Sequence, residues 1–333
     1  MNLSATDIQT IYFDPEAIRL PAYRLGRVSQ GRGRLYFRYN KESDTIDLFN
    51  SLTTVLSQCS PTAWPLIEWY AKHGIKEAQR LSNTAAMYGT LMHECIGDFC
   101  IKQVFDYDKA QEYVDGYLSK HSFWQPECEE WGWKLKQDMA AWAQFVHDTQ
   151  MRVMAVEMCL CSEKSVATAI DVVCVLNLPV KGFHGEVYKS GENKGQPKAT
   201  TERVKKTALI NMKSGRHGFY ESNGLQLEAE RMIFVENFPD IKIDAILNWA
   251  PSDYENPDSD KYKIKDWTGI TDPKELDAMF MLAECRFKDK LKDKEFMSIH
   301  GETLYGNAPV SNMSRTKLEE WLLNRERKKH LPE

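Results

Sequence analysis

The strongest constraint on this chain is a pair of apolar runs that each contain a single polar interruption. One is Ala169-Ile170-Asp171-Val172-Val173; the other is Leu209-Ile210-Asn211-Met212-Lys213, which breaks at Ser214-Gly215. Short apolar runs ended by turn residues read as buried strands. Side chains on a strand alternate faces, so Asn211 and Lys213 point one way and Met212 points into the opposite layer. Pairing the two strands gathers Asp171, Asn211 and Lys213 at one spot. A carboxylate, an amide oxygen and an ammonium together suit a divalent cation acting on a phosphodiester, except that position 211 carries an amide where an acid is expected.

Composition narrows the setting. Of the 333 residues, 42% are hydrophobic and 27% charged, which is the balance of a soluble globular chain. No apolar run reaches the roughly 20 residues a membrane helix requires, so no membrane association is expected. The first residues are polar and include acids, unlike a secretory signal or an Arg-rich transit peptide, and a cytoplasmic location is expected. The eight cysteines are scattered, with only Cys159 and Cys161 close together, so they read as reduced, packed thiols and not as a zinc or iron–sulfur site. With a net charge of −5, nucleic-acid affinity has to come from local patches. Residues 19–38 hold six arginines and no acid, interleaved with Tyr23, Tyr36 and Phe37, and residues 181–206 hold seven basic residues against three acids. Each patch could follow a phosphate backbone or be a solvated face.

Read in order, residues 1–50 form a β-rich basic segment with strands near 23–28, 34–39 and 45–49. Ser51 and Thr53 open a helix, where their hydroxyls either cap it or meet a phosphate. A second helix spans 65–73 and ends at Gly74, and a third runs over about 84–103. On that third helix Gly89, His93 and Gly97 share one face, and two glycines there suit a close approach to another element, with His93 projecting from the contact. Helices at about 107–120 and 128–149 form an insertion (105–150) whose tryptophans read as core. Strands at 153–160 and 165–176, turning at 162–164, carry Glu157 and Asp171. A long basic hairpin (178–206) separates the two site strands. A helix from about Gly224 to 237, strands near 242–249 and 262–267, and helices at 273–290 and 314–329 complete the chain. The order predicts an α/β fold: a central mixed β-sheet flanked by helices, with residues 51–270 as its core and 271–333 as a helical extension.

The motifs together are more specific than any one of them. Ser-x-Thr before a helix, Gly-Thr-x-x-His on a helix, Ile-Asp on a strand, x-x-Lys closing the next and Gln opening the following helix occur in that sequence. This arrangement resembles the PD-(D/E)XK nuclease superfamily, in its RecB-like and phage-exonuclease branch, and the stretches 51–56, 64–73 and 89–94 are also similar to the mitochondrial genome-maintenance exonuclease. The likeness covers about residues 34–236 and implies a restriction-endonuclease-like core.

What the resemblance implies can be stated residue by residue. His93, Asp171, position 211 and the Met212 carbonyl would hold Mg²⁺ or Mn²⁺, an oxygen-rich hard-cation site. Lys213 would orient the attacking water or stabilise phosphoryl charge, and Gln226 would position Lys213 or a phosphate. Glu157 is an additional acid beside the metal or the DNA. Ser51 and Thr53 would contact nucleic acid, joined by Arg32, Arg34 and Tyr36 of the basic patch at 19–38. The implied activity is metal-dependent exonucleolytic hydrolysis of DNA, on single strands or free ends, in a bacterium or phage-infected cell, with a helicase or recombinase as a compatible protein partner. Asn211 departs from the pattern and leaves three readings open. It is a substitution that disables an active enzyme and traps substrate, the mark of a relative kept only for binding nucleic acid, or a loss made good by Glu228 or Glu230. A catalytically silent nucleic-acid-binding or adaptor protein is therefore the alternative function.

Overall fold

The computed structural model describes residues 12–14, 17–18, 25–30, 33–40, 45–60, 64–102, 104–179, 183–187, 197–199, 202–215, 218–252, 261–287 and 300–302. Its strands are β1 (Tyr12–Phe13), β2 (Gly26–Gln30), β3 (Gly33–Asn40), β4 (Thr45–Ser51), β5 (Arg152–Cys161), β6 (Val166–Pro179), β7 (Phe183–Val187), β8 (Pro197–Ala199), β9 (Arg203–Met212), β10 (Ala245–Pro251), β11 (Tyr262–Asp266) and β12 (His300–Glu302). The helices are α1 (Leu52–Cys59), α2 (Trp64–His73), α3 (Ile75–Lys102), α4 (Ala110–His121), α5 (Trp131–Thr149), α6 (Glu221–Asn237) and α7 (Pro273–Phe287). The expected helix at 314–329 and most of the basic hairpin's tip lie outside the described residues.

Among the described residues ten strands form one mixed sheet in the order β11-β10-β9-β6-β4-β3-β2-β12, with β5 on β6 and β1 on β5, while β7 and β8, in the connection from β6 to β9, pair as a separate ribbon. The expected α/β architecture is observed, with helices on both faces. One layer, α3, α4 and α5, packs Met92, Ile96, Trp142 and Phe145 on Val172, Ile210, Met212 and Trp249. The other, α1, α6 and α7, packs Val55, Leu227, Phe234 and Leu276 on Ile170, Val173, Leu209 and Ile246. Strand β10 is buried along its whole length, as a strand covered on both faces must be. No helix among the described residues is long and apolar enough to cross a membrane.

The topology around β6 creates the position of Asp171. Strand β5 pairs with one edge of β6 from Ala167 to Val175. The opposite edge is shared: β4 takes Val166 and Ala167, and β9 takes Val172 to Pro179. Residues 168–171 lie between these partners, so Asp171 stands where β9 leaves the ladder. The alternation of both β5 and β6 resets at this level. Ile170 and Met158 pack in the α1/α6/α7 layer, whereas Val172 and Val156, two residues away in each strand, pack in the α3/α4/α5 layer. In β5 the reset is made by Glu157, which has φ +48°, a conformation that costs a non-glycine residue roughly 1–2 kcal/mol.

Several details depart from expectation. Helix α3 begins at Ile75, well before 84, because its first turns are held by ion pairs and carry few apolar residues: Arg80 grips Glu77 on its own helix and Glu127 on the connection to α5. Trp131 and Trp142 are core as expected, but Trp133 is 56% exposed. Ser51 is the N-cap residue of α1 yet makes no capping hydrogen bond; its hydroxyl instead lies 2.9 Å from the Thr53 hydroxyl. The close-approach reading of α3 holds. A Cβ on Gly89 would stand 3.2 Å from the Ser214 hydroxyl, and one on Gly97 would stand 3.2 Å from Val156.

A tighter contact sits on α6. A Cβ on Gly224 would come within 2.6 Å of the Trp267 ring, which is buried and cannot swing aside. Alanine would normally gain about 1 kcal/mol over glycine inside a helix. Here overpacking reverses the sign, and Gly224→Ala is expected to lose about 1–3 kcal/mol, read as a lower midpoint in urea unfolding.

Candidate metal centre

Three elements meet at the level where β6 changes partners. Helix α3 brings His93, β5 brings Glu157 and β6 brings Asp171. Each offers one ligand atom, and the three atoms lie within 4.8 Å of one another. His93 Nδ1 is 3.6 Å from Glu157 Oε1 and 3.6 Å from Asp171 Oδ1. On the other side of the ring, Nε2 lies 3.2 Å from the Met212 carbonyl oxygen. Assigning the proton to Nε2 makes it donate to that carbonyl and leaves the Nδ1 lone pair facing two carboxylates. The second oxygen of Asp171 accepts the Met212 backbone N–H at 2.7 Å. Asp171 thus ties the end of β9 to β6 while presenting its free oxygen to His93.

The electrostatics describe a site short of positive charge. Burial opposes a proton on His93, but Asp171 and then Glu157 outweigh it and raise the imidazole to about 9. Burial also raises the Asp171 carboxyl, against the pull of His93. An imidazole nitrogen and two carboxylate oxygens around one point form a donor set that fits a divalent cation of the Mg²⁺ or Mn²⁺ class, with the Met212 carbonyl adjoining. A proton on Nδ1 and a cation would compete for the same lone pair.

The lysine arrives from β9 and is held from the opposite layer. Lys213 Nζ donates to Gln226 Oε1 at 3.2 Å, and Gln226 Nε2 donates to Glu230 Oε1 at 2.8 Å. Its backbone N–H donates to the Trp249 carbonyl, which fixes the strand end against β10. Gln226 and Glu230 stand one turn apart on α6, on the face that meets β9. Glu230 is fully buried, and its Oε2 has no hydrogen-bond partner among the described residues. Burial, and then the nearby Asp171 charge, raise its carboxyl to about 8.

Asn211 is 3% exposed, and its side chain turns toward the α6 side of the sheet. Asn248, its neighbour on β10, donates through Nδ2 to both the Asn211 backbone oxygen (3.1 Å) and Oδ1 (3.2 Å). Asn248 Oδ1 in turn accepts the Trp267 indole N–H at 2.8 Å. The amide oxygen expected to face a metal is therefore already engaged in a buried amide–amide–indole network. Sequence reasoning did not single out Asn248, although a lone polar residue inside the apolar run Ala245-Ile246-Leu247-Asn248-Trp249 is the signal that could have found it.

The remaining expected residues divide. Glu228 is paired with Arg231 on its own helix, whereas Glu230 faces the site. Ser51 is buried and Thr53 exposed at the start of α1. Tyr36 is 1% exposed and packs against Phe49 and Leu25, so its ring is not open to a base: both faces of β3 are covered there, which the arginines around it concealed. Arg32 lies outside the described residues, and of Arg34 only the strand backbone is described. No family model matches this sequence, and a search of curated proteins found no match.

Glu230 gives the site a pH signature. Its folded-state carboxyl is raised above the ordinary value of 4.5, so between about pH 4.5 and 8 the folded state binds the extra proton and stability falls as pH rises. Glu230→Gln removes this dependence. The variant should gain on the parent by at most about 1.4 kcal/mol per pH unit across that window and level off above it, measured by urea unfolding at a series of pH values.

Proposed function

We propose that this chain is a metal-dependent nuclease that hydrolyses phosphodiester bonds in DNA at single strands or free ends. The observation that carries the reading is the meeting of His93, Glu157 and Asp171 at one point, one strand away from Lys213. His93, Asp171, Lys213 and Gln226 follow one another in the order of the RecB-like PD-(D/E)XK pattern, with Asn211 in place of its second acid and Glu157 outside it, and the helix–strand–strand–helix framework that carries them is compatible with it. A Mg²⁺ or Mn²⁺ ion held by His93, Glu157 and Asp171 would acidify a water molecule and polarise the scissile phosphate. The chain's own groups do the rest. Lys213 offers an ammonium to the charge that grows on the phosphoryl oxygens, and Gln226 keeps that ammonium directed. His93 must give up its Nδ1 proton to act as a ligand, while the Nε2–H···O bond to Met212 holds the ring in orientation. Glu157 supplies, from β5, an acid that sits beside Asp171 in the position most able to offset the missing charge at 211.

The decisive comparison uses end-labelled single-stranded DNA with Mg²⁺ or Mn²⁺, the present chain and its Asn211→Asp variant. Cleavage by the variant is expected, and Lys213→Ala in that background should lower the rate by about 100-fold or more. Binding without cleavage by the variant would instead support a silent DNA-binding protein. The network that engages the Asn211 amide sets the expected cleavage rate of the present chain below that of the variant. Protection of a circular single strand would support dependence on free ends.

Metal affinity should also follow pH. Because His93 holds its proton up to about 9, each step up in pH from 6 toward 9 should tighten Mn²⁺ binding, by at most about tenfold per unit. Calorimetry in two buffers of different ionisation enthalpy should register close to one proton released per ion at pH 7. Affinity that does not change with pH would remove His93 from the ligand set.

A further inference from the structure

We propose that Glu230 is a positioning residue: acting through the side-chain amide of Gln226, it fixes the direction of the Lys213 ammonium. The proposal rests on the reading of Lys213 as the lysine of a hydrolytic site, and goes beyond it in assigning a role to an acid that touches neither metal ligand nor lysine.

The argument begins from donor and acceptor capacities. An ammonium has three donors and no acceptor, so only the oxygen of the Gln226 amide can face Lys213. The amide nitrogen must then face the other way, and there it meets Glu230 Oε1 at 2.8 Å. Without this second contact the amide would be held by Lys213 alone, free to rotate away and lose the 3.2 Å bond. Glu230 thus holds the amide in this orientation. The i,i+4 spacing of Gln226 and Glu230 keeps both on one face of α6, and the packing of Leu227, Ala229, Ile233 and Phe234 anchors that helix on the sheet.

The burial of Glu230 strengthens the case. The side chain is fully buried and one carboxyl oxygen has no hydrogen-bond partner among the described residues, an arrangement that disfavours folding and that a leucine or methionine of similar size would relieve. Fold stability therefore gives no account of this carboxyl. The hydrogen bond to Gln226 does, and it needs only an acceptor oxygen. A neutral carboxylic acid can meet the need through its carbonyl oxygen, in keeping with the proton that burial holds on the group.

Glutamine and methionine at position 230 separate an acceptor from a charge. On ¹⁵N-labelled full-length chain without metal, the Gln226 side-chain NH₂ signal is assigned by its loss in Gln226→Met. Its exchange with solvent is expected to be slow in the parent and in Glu230→Gln, and about tenfold faster or more in Glu230→Met. Thermal unfolding should show Glu230→Met to be at least as stable as the parent. In the Asn211→Asp background, Glu230→Gln should keep its cleavage rate within about twofold, while Glu230→Met should lose about tenfold or more in kcat with KM unchanged. Equal exchange in Glu230→Met and the parent would overturn the proposal. So would loss of cleavage in Glu230→Gln as complete as in Glu230→Met, which would mean that the residue acts through its charge. Absence of cleavage in every variant, Asn211→Asp included, would overturn the nuclease reading and leave Lys213 with no reaction to be positioned for, while the exchange rates would still report whether Glu230 holds the amide.

Discussion

The hydrogen bond from the Met212 N–H to Asp171 holds the site together. It lies at the one level where β9 has left the β6 ladder, and it substitutes a side-chain acceptor for the backbone carbonyl that the departing strand has lost. Its effects reach three elements at once. It ties Asp171 on β6 to the end of β9, next to Lys213, and the carbonyl of the same Met212 lies 3.2 Å from His93 Nε2 on α3. A carboxylate that accepts a backbone N–H on one oxygen can present the other in only a narrow range of directions. The His93 ring, pressed close by the flanking glycines of α3, completes that geometry from the opposite layer.

Much of this was legible in the sequence because the signals were periodic. The alternation of Leu209, Ile210, Asn211, Met212 and Lys213 between layers follows from the pleat, and the pairing of β6 with β9 follows from two apolar runs that need partners. The glycine spacing on α3 announced a close contact before any strand was known to receive it. What escaped the sequence was non-local. Glu157 in a left-handed conformation, and the matching reset in β6, depend on how two strands share a ladder, and no residue-level propensity marks a glutamate for that role. The burial of Tyr36 escaped for a related reason, since the arginines around it suggested an open basic face while both sides of β3 were covered. The amide network of Asn211, Asn248 and Trp267 joins β9, β10 and the turn after β11, and such cross-strand bonds appear only once the strand order is fixed.

The charges around His93 are weighted toward acids. Glu157 and Asp171 face the imidazole, Glu230 stands behind, and Lys213 is the nearby ammonium. Without a further positive charge the site resolves the imbalance by retaining protons, on His93 and on Glu230.

The divided edge of β6 also makes the sheet mechanically uneven. Strand β4 joins β6 by two residue pairs, Asn50 with Val166 and Ser51 with Ala167, whereas β5 and β9 each join it along eight. The N-terminal meander of β2, β3 and β4 is thus attached through a narrow seam while its own strands are broadly paired. Cooperative units in a sheet part where the fewest backbone bonds cross. By that measure the β4–β6 seam, close to Asp171, is a weaker join than the ones β6 makes with β5 and β9.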